Sequence, residues 1–243
     1  MPGGQWQVIG GGRVKLVLWD IDHTLIATRG VGREIFAEGF EQVTGVPMRE
    51  QAAVDGMTEP VIFRETARLH GIDSDRRMFE RFARCSAELH RARAGELRER
   101  GHALPGAAAT LDTVSGLSGV VQTVVTGNIR TAAEVKLAAF GLDTHIRFEL
   151  GGYGEDHDER AELVRKAMEH AGQGHSDITA DDVLLIGDTP ADVAAGRDNG
   201  VRVLGVASGR SSEQDLWAAG ATAVARDLTD RRVLMDLINA APH

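Results

Sequence analysis

Two aspartates spaced two apart, Asp20 and Asp22, close an apolar run of Val14, Leu16, Val17, Leu18 and Trp19. A short run of this composition predicts a buried parallel strand. Residues two apart on a strand point to the same side, so both carboxylates would stand above the strand's carboxyl edge, where open α/β sheets bind ligands. Like charges that close repel unless a cation joins them. A polar strand-to-loop turn with an Asx cap is the alternative. An EF-hand loop is disfavoured, because it wants a third acidic or amide group at 24 and glycine at 25.

Polar groups at the end of an apolar run recur twice. Val120 to Val125 breaks at Thr126-Gly127-Asn128, where a hydroxyl donor stands beside a glycine whose backbone N–H an oxyanion can approach. Taken alone, this tripeptide also reads as a turn. Val183 to Ile186 runs into Gly187-Asp188-Thr189-Pro190-Ala191-Asp192. Proline suits the first position of a helix, so Thr189 reads as an N-cap and Asp192 as a complement to the helix dipole. That accounts for Asp192 and leaves Asp188 unexplained.

In order along the chain these stretches resemble motifs of the haloacid dehalogenase (HAD) superfamily of phosphohydrolases. Asp20-Ile21-Asp22-His23-Thr24 matches D-x-D-x-T, Thr126 the Ser or Thr closing the second active strand, and Gly187-Asp188 with Asp192 matches G-D-x-x-x-D. The third motif is a lysine, less often an arginine, just before or at the start of a helix. The chain has three lysines, Lys15, Lys136 and Lys166, and none stands at that place. Arg160 does, beside Asp158, a natural N-cap, and Glu159. A guanidinium can hold phosphate in a bidentate fork. Lys136 and Lys166 are expected to face solvent. The resemblance spans roughly residues 14 to 238.

The resemblance implies that Asp20 attacks phosphorus and forms an aspartyl-phosphate, while Asp22 protonates the leaving oxygen and then deprotonates the hydrolytic water. Thr126, the backbone at Gly127 and Asn128, and Arg160 would hold the phosphoryl oxygens. A divalent cation must bridge an attacking carboxylate and a phosphoryl anion, and Mg²⁺ takes oxygen ligands. Asp20, Asp188 and the backbone carbonyl of Asp22 would supply them, with Asp192 binding a metal-bound water or orienting Arg160. His23 has no assigned role. Asp22 argues against dehalogenation, in which the leaving halide needs no proton. The absence of lysine between 28 and 104 argues against the Schiff-base phosphonate route. What remains is hydrolysis of a small phosphomonoester, as in phosphoglycolate-phosphatase-like members, with a phosphomutase or a catalytically silent binding protein as alternatives.

The elements that must position these residues follow an α/β rhythm with one interruption. After Thr24, helical spacing takes over. Ile35, Phe36, Phe40 and Val43 mark one helix and Ile62, Thr66 and Leu69 a second, while Met78, Phe82, Cys85, Leu89 and Ala92 form the stripe of a third. Cys85 on that stripe reads as a packed thiol. The expected architecture is an α/β, Rossmann-like parallel sheet core over 14–27 and 104–240, with an inserted α-helical cap over 28–103. Gly56-Met57-Thr58, Arg64 and Arg68 are candidates for facing the site. Further strands are expected at Ile146 to Leu150, Val201 to Val206 and Ala223 to Ala225, and Pro2 to Gly12 reads as a linker.

With 243 residues, 42% hydrophobic and 26% charged, the chain has the composition of a globular protein. Its net charge of −9 argues against sequence-independent nucleic-acid binding, which needs a basic face. No apolar run approaches the roughly 18 residues of a membrane span. The single cysteine excludes an internal disulfide and fits the cytoplasm. The expected partner is a small phosphorylated metabolite, bound by a monomer or homodimer.

Overall fold

A computed structural model of the chain describes residues 15–174 and 178–240; the linker expected at Pro2 to Gly12 lies outside them. The elements run β1 (Lys15–Trp19), β2 (Ile26–Ala27), α1 (Val31–Thr44), α2 (Glu59–Leu69), α3 (Arg76–Ala92), α4 (Ala94–Arg100) and β3 (His102–Ala103). They continue with α5 (Ala107–Ser115), β4 (Val120–Thr126), α6 (Arg130–Ala139), β5 (Gly152–Tyr153), α7 (Arg160–Gly172), β6 (Val183–Gly187), α8 (Pro190–Asp198), β7 (Arg202–Val206), α9 (Glu213–Ala219), β8 (Ala223–Ala225) and α10 (Arg232–Asn239).

Six of the strands form one parallel sheet in the order β5-β4-β1-β6-β7-β8. The chain builds outward from β1 through β4 to β5, then crosses back to β6 on the other flank of β1. The carboxyl ends of β4, β1 and β6 therefore lie side by side where the strand order reverses, the crevice in which α/β sheets hold ligands. Side-chain alternation divides the core: Val17 and Trp19 pack on one face with Leu111, Leu137 and Ile238, and Leu16 and Leu18 on the other with Leu163, Val193 and Leu216. A sheet buried on both faces needs strands that are apolar throughout, which is why β1 and β6 read as unbroken runs.

Helices α1 to α4 leave and rejoin the sheet through one antiparallel pair, β2 and β3, with Ile26 opposite Ala103 and Ala27 opposite His102. Their own core is aromatic. Phe36, Phe40, Phe63, Phe79 and Phe82 cluster, with the Phe82 ring 4.7 Å from Phe63 and 4.8 Å from Phe36. Ile129 and Ala132 close that cluster, so the helical segment rests on the amino end of α6, directly after the Thr126 loop.

The structure departs from the sequence pattern in two places. Residues 146–150 do not form a strand: Phe148–Leu150 is a 3-10 turn, and the pairing passes to Gly152 and Tyr153, opposite Val125 and Thr126. Ile146 is buried against the core without a ladder, and a short apolar run cannot separate those outcomes. On α3 the buried stripe is Phe79, Phe82, Ser86 and His90, and Cys85 lies at its rim, with Sγ 3.1 Å from Gln42 Oε1. Two polar residues carry the buried face, so an apolar count placed it one position off.

Candidate active site

Asp20 follows β1 directly, and its backbone N–H donates to the Ile186 carbonyl at 2.9 Å, extending the ladder to the start of the next loop. Thr126 ends β4, and Asp188 leaves β6. All three are buried, at 5%, 1% and 3% exposure. Thr189 caps α8, and Asp192 returns the interaction through a capping box while Pro190 occupies the first turn. Gly187 is needed there, because a Cβ at that position would lie 2.4 Å from the Asp192 carboxyl carbon.

Arg160, the first residue of α7, projects into this group, buried with its side chain 8% exposed. Its Nη2 donates to Asp20 Oδ1, and its Nε donates to Asp192 Oδ1 at 2.5 Å. Thr24 lies between Asp20 and Asp188, its hydroxyl 3.1 Å from Asp20 Oδ2 and 3.3 Å from Asp188 Oδ1. Burial, with the charges of Asp192 and Asp22, pushes the Asp20 carboxyl above the usual range against the pull of Arg160. Burial, then Asp20 and Asp192, push Asp188 the same way. One guanidinium does not balance three crowded carboxylates.

Asp22 is set apart from them. Its side chain is 33% exposed and receives the Lys136 ammonium on both oxygens, at 3.0 Å and 2.7 Å, and the Asn128 side-chain N–H on Oδ2 at 2.7 Å. Burial alone would raise this carboxyl, but Lys136 and the hydrogen bonds from Lys136 and Asn128 outweigh it and hold it below the ordinary range. Asn128 Nδ2 also donates to the Thr126 hydroxyl oxygen at 2.7 Å, tying β4 to the same network. The expectation that Lys136 faces solvent is therefore overturned: it is 5% exposed. Lys166, 40% exposed beside Glu169, does face outward.

A cleft of about 810 Å³ opens above these residues, a size suited to a small ligand, and the helical segment forms its far wall through Gly56, Met57, Glu59 and His90. Glu59 joins the halves: its N–H donates to the Gly127 carbonyl at 2.8 Å, and its carboxylate accepts from the Ile129 N–H at 2.8 Å and from the Ser86 hydroxyl. Burial raises its carboxyl. His90 Nδ1 lies 2.8 Å from the Ser86 carbonyl, which can only accept, so Nδ1 carries the proton. Its Nε2 is then an acceptor, buried with no partner among the described residues.

Gly127 has a structural cause that differs from the expected one: a Cβ there would lie 2.2 Å from the Met57 carbonyl oxygen. Arg64 and Arg68 do not line the cleft. Arg64 pairs with Asp158 at 2.6 Å and Arg68 with Glu65 at 2.8 Å, both at the surface. Asp158, engaged by Arg64, is not the cap of α7; Glu159 occupies that position without a side-chain bond. His23 adopts a left-handed backbone, with φ of 65°, and lines the cleft.

Residues 17–197 match the family model of haloacid dehalogenase-like hydrolases. The chain belongs to this family. In sequence, no curated protein matches the chain. Among solved structures, the chain is similar to a hydrolase from Pseudomonas syringae (22% identity, TM-score 0.66, 94% of this chain and 100% of the other). It is also similar to one described as "a predicted phosphatase from Clostridium acetobutylicum" (19%, 0.67, 92% and 100%). A third is described as "a predicted phosphoglycolate phosphatase" from Haemophilus somnus (16%, 0.61, 93% and 100%). At these identities the likeness shows the shared fold.

In this haloacid dehalogenase-like hydrolase the residues that could hold a metal ion, among the described residues, are Asp20, Asp188 and Asp192, whose ligand atoms lie within 4.8 Å of one another. The donors are all hard carboxylate oxygens, and three clustered carboxylates against the one Arg160 guanidinium leave negative charge that a divalent cation would neutralise. The set fits such an ion. Asp192 is the least free of the three, with Oδ1 held by Arg160 and Oδ2 accepting from the Thr189 N–H and hydroxyl. The side chain of Asp22 is turned away, toward Lys136.

Lys136, Glu59 and His90 are the site neighbours that motif reading missed. Lys136 carried a signal, since it shares a helical face with Ala132, Ala133 and Leu137, and a lysine on a buried stripe requires a partner.

Proposed function

We propose that the protein is a Mg²⁺-dependent phosphatase that hydrolyses a small phosphomonoester through an aspartyl-phosphate on Asp20. The observation that carries this reading is the arrangement at the carboxyl edge of β4, β1 and β6. A buried nucleophile candidate, Asp20, belongs to an oxygen-donor cluster and contacts a buried arginine, and Asp22 faces the cleft from the same loop. Asp20, Asp188 and Asp192, with the Asp22 backbone carbonyl, are the residues that would hold Mg²⁺. When bound, Mg²⁺ supplies the positive charge that lets a carboxylate approach a phosphoryl anion.

The chain's own residues carry the remaining chemistry. Asp20 forms a bond to phosphorus as the bond to the leaving oxygen breaks, and Asp22, in its protonated form, delivers its proton to that oxygen. Water then attacks the phosphoryl group with Asp22 taking its proton, releasing phosphate and restoring Asp20. Arg160 has N–H groups beyond those directed at Asp20 and Asp192, and Thr126 accepts from Asn128 while keeping its own proton. Both can donate to phosphoryl oxygens as charge builds on them.

Residues 28–103 act as a cap over the core of 14–27 and 104–240, and their wall of the cleft selects the leaving group. The similar structures include ones described as phosphatases, in agreement with this chemistry. The acidic balance disfavours nucleic acid, the lone cysteine favours the cytoplasm, and among the described residues no helix is long and apolar enough to cross a membrane. The working unit is a monomer or homodimer.

The test is a panel of phosphorylated metabolites with Mg²⁺ present, following phosphate release. One phosphate per substrate consumed supports the hydrolase. Appearance of a phosphorylated isomer, primed by a bisphosphorylated sugar, would instead make it a mutase. No turnover of any ester would remove the reading.

A further inference from the structure

We infer that Lys136 is a positioning residue for Asp22, serving that residue's proton transfers and not phosphate binding. This rests on the phosphatase reading above.

An ammonium has three N–H groups and no acceptor. Three oxygens surround Lys136 Nζ: Asp22 Oδ2 at 2.7 Å, Asp22 Oδ1 at 3.0 Å and Asn128 Oδ1 at 2.6 Å. All three donors are in use, and none is left for a phosphoryl oxygen. Arg160, by contrast, retains N–H groups beyond its bonds to Asp20 and Asp192. The two buried cations of the site therefore divide the work. Arg160 contacts the nucleophile, and Lys136 contacts the acid–base residue.

Position supports the same division. Asp22 is the most open of the site carboxylates, with a third of its side chain exposed to the cleft, and a free carboxylate there could turn among several rotamers. Contact with both oxygens from Lys136, and with Oδ2 from Asn128, fixes the plane of the group. Asn128 is held in turn by Thr126, so the acid–base group and the end of β4 form one unit. A buried ion pair is costly compared with an apolar residue, and Ala132, Ala133 and Leu137 show that this face of α6 accepts one. The cation is better explained by what it does to Asp22 than by stability.

The leaving group separates positioning from binding. An alkyl phosphate needs a proton at its departing oxygen, whereas p-nitrophenolate departs as a stable anion without one. The kcat/KM of the full-length protein with Mg²⁺ is to be compared for p-nitrophenyl phosphate and for the best alkyl phosphomonoester of the panel. Lys136→Met should lower the alkyl value by about 100-fold or more, the range of general acid catalysis, and leave the p-nitrophenyl value within a few-fold. Lys136→Arg should recover part of the alkyl loss. In an Asp22→Asn background, Lys136→Met should add nothing further. Equal losses on both esters, a change in KM alone, or additive losses would overturn the inference while leaving the phosphatase intact. If the wild-type protein hydrolyses neither ester, the phosphatase reading falls and this one with it. Should Lys136→Met fail to fold, Lys136→Arg and the double variant carry the same comparison, with a larger loss on the alkyl ester expected for Lys136→Arg.

Discussion

Arg160 and Asp192 hold each other across the sequence, the Nε of one donating to Oδ1 of the other at 2.5 Å, while Asp192 Oδ2 serves the capping box of α8. One carboxylate thus starts a helix and fixes the arginine that reaches Asp20. Removing the arginine leaves buried carboxylates uncompensated, and would also remove the contact to phosphate proposed for it.

Arg160→Ala should lower kcat/KM by several kcal/mol of barrier, roughly a hundredfold to a thousandfold or more, because charge-assisted contacts in a buried site are the strong ones. Arg160→Lys should recover part of the loss. Lys166→Ala, on the exposed face of α7, should stay within a few-fold. Steady-state kinetics on the three variants decides it, and a damaging Lys166→Ala with a mild Arg160→Ala would reverse the assignment.

Metal dependence should follow Asp188, whose side chain accepts from Thr24 alone among the hydrogen bonds described. Chelation should silence the enzyme and Mg²⁺ restore it. Asp188→Ala should raise the Mg²⁺ concentration needed for half-maximal rate by at least about tenfold, about 1.4 kcal/mol of lost ion binding. Activity unchanged in excess chelator contradicts the site as drawn.

His90 gives a prediction that does not depend on activity. Burial, then the charge of Lys136, push its pKa down to about 4 from an ordinary 6.5. The folded protein keeps the ring neutral while the unfolded chain takes up a proton as pH falls below about 6.5. Its contribution to stability is thus complete above that pH and is lost as pH falls toward 4. Imidazole resonances followed by NMR should show His90 titrating near 4, and the stability difference between wild type and His90→Gln should narrow across that window. Titration near 6.5 would place the ring in water.

The parts of the molecule that were legible in the sequence are those where local pattern and chemistry coincide. The apolar runs before Asp20, Thr126 and Asp188 form strands, and Pro190 and Thr189 set the start of α8 as their types dictate. What was not legible depends on contacts across long separations. Lys136 meets Asp22 from 114 positions away, and only the packing of α6 against the sheet turns an ordinary helical lysine into part of the site. Glu59 and Ser86 are likewise buried by the meeting of α2 and α3 with the loop after β4. Gly127 was expected to make room for an oxyanion, yet the atom that excludes a side chain is the Met57 carbonyl, on a segment nothing in the local sequence brings near.

The most direct measurement of the central claim is phosphate release by Asp20→Asn. The substitution is nearly isosteric and keeps a polar group near Thr24 and Arg160, so folding, checked by circular dichroism, should survive. If Asp20 is the nucleophile, turnover of phosphomonoesters should fall by about 10³-fold or more, on the order of 4 kcal/mol of barrier, since none of the neighbouring carboxylates can take its place. A folded Asp20→Asn protein that releases phosphate at close to the wild-type rate would contradict the covalent mechanism.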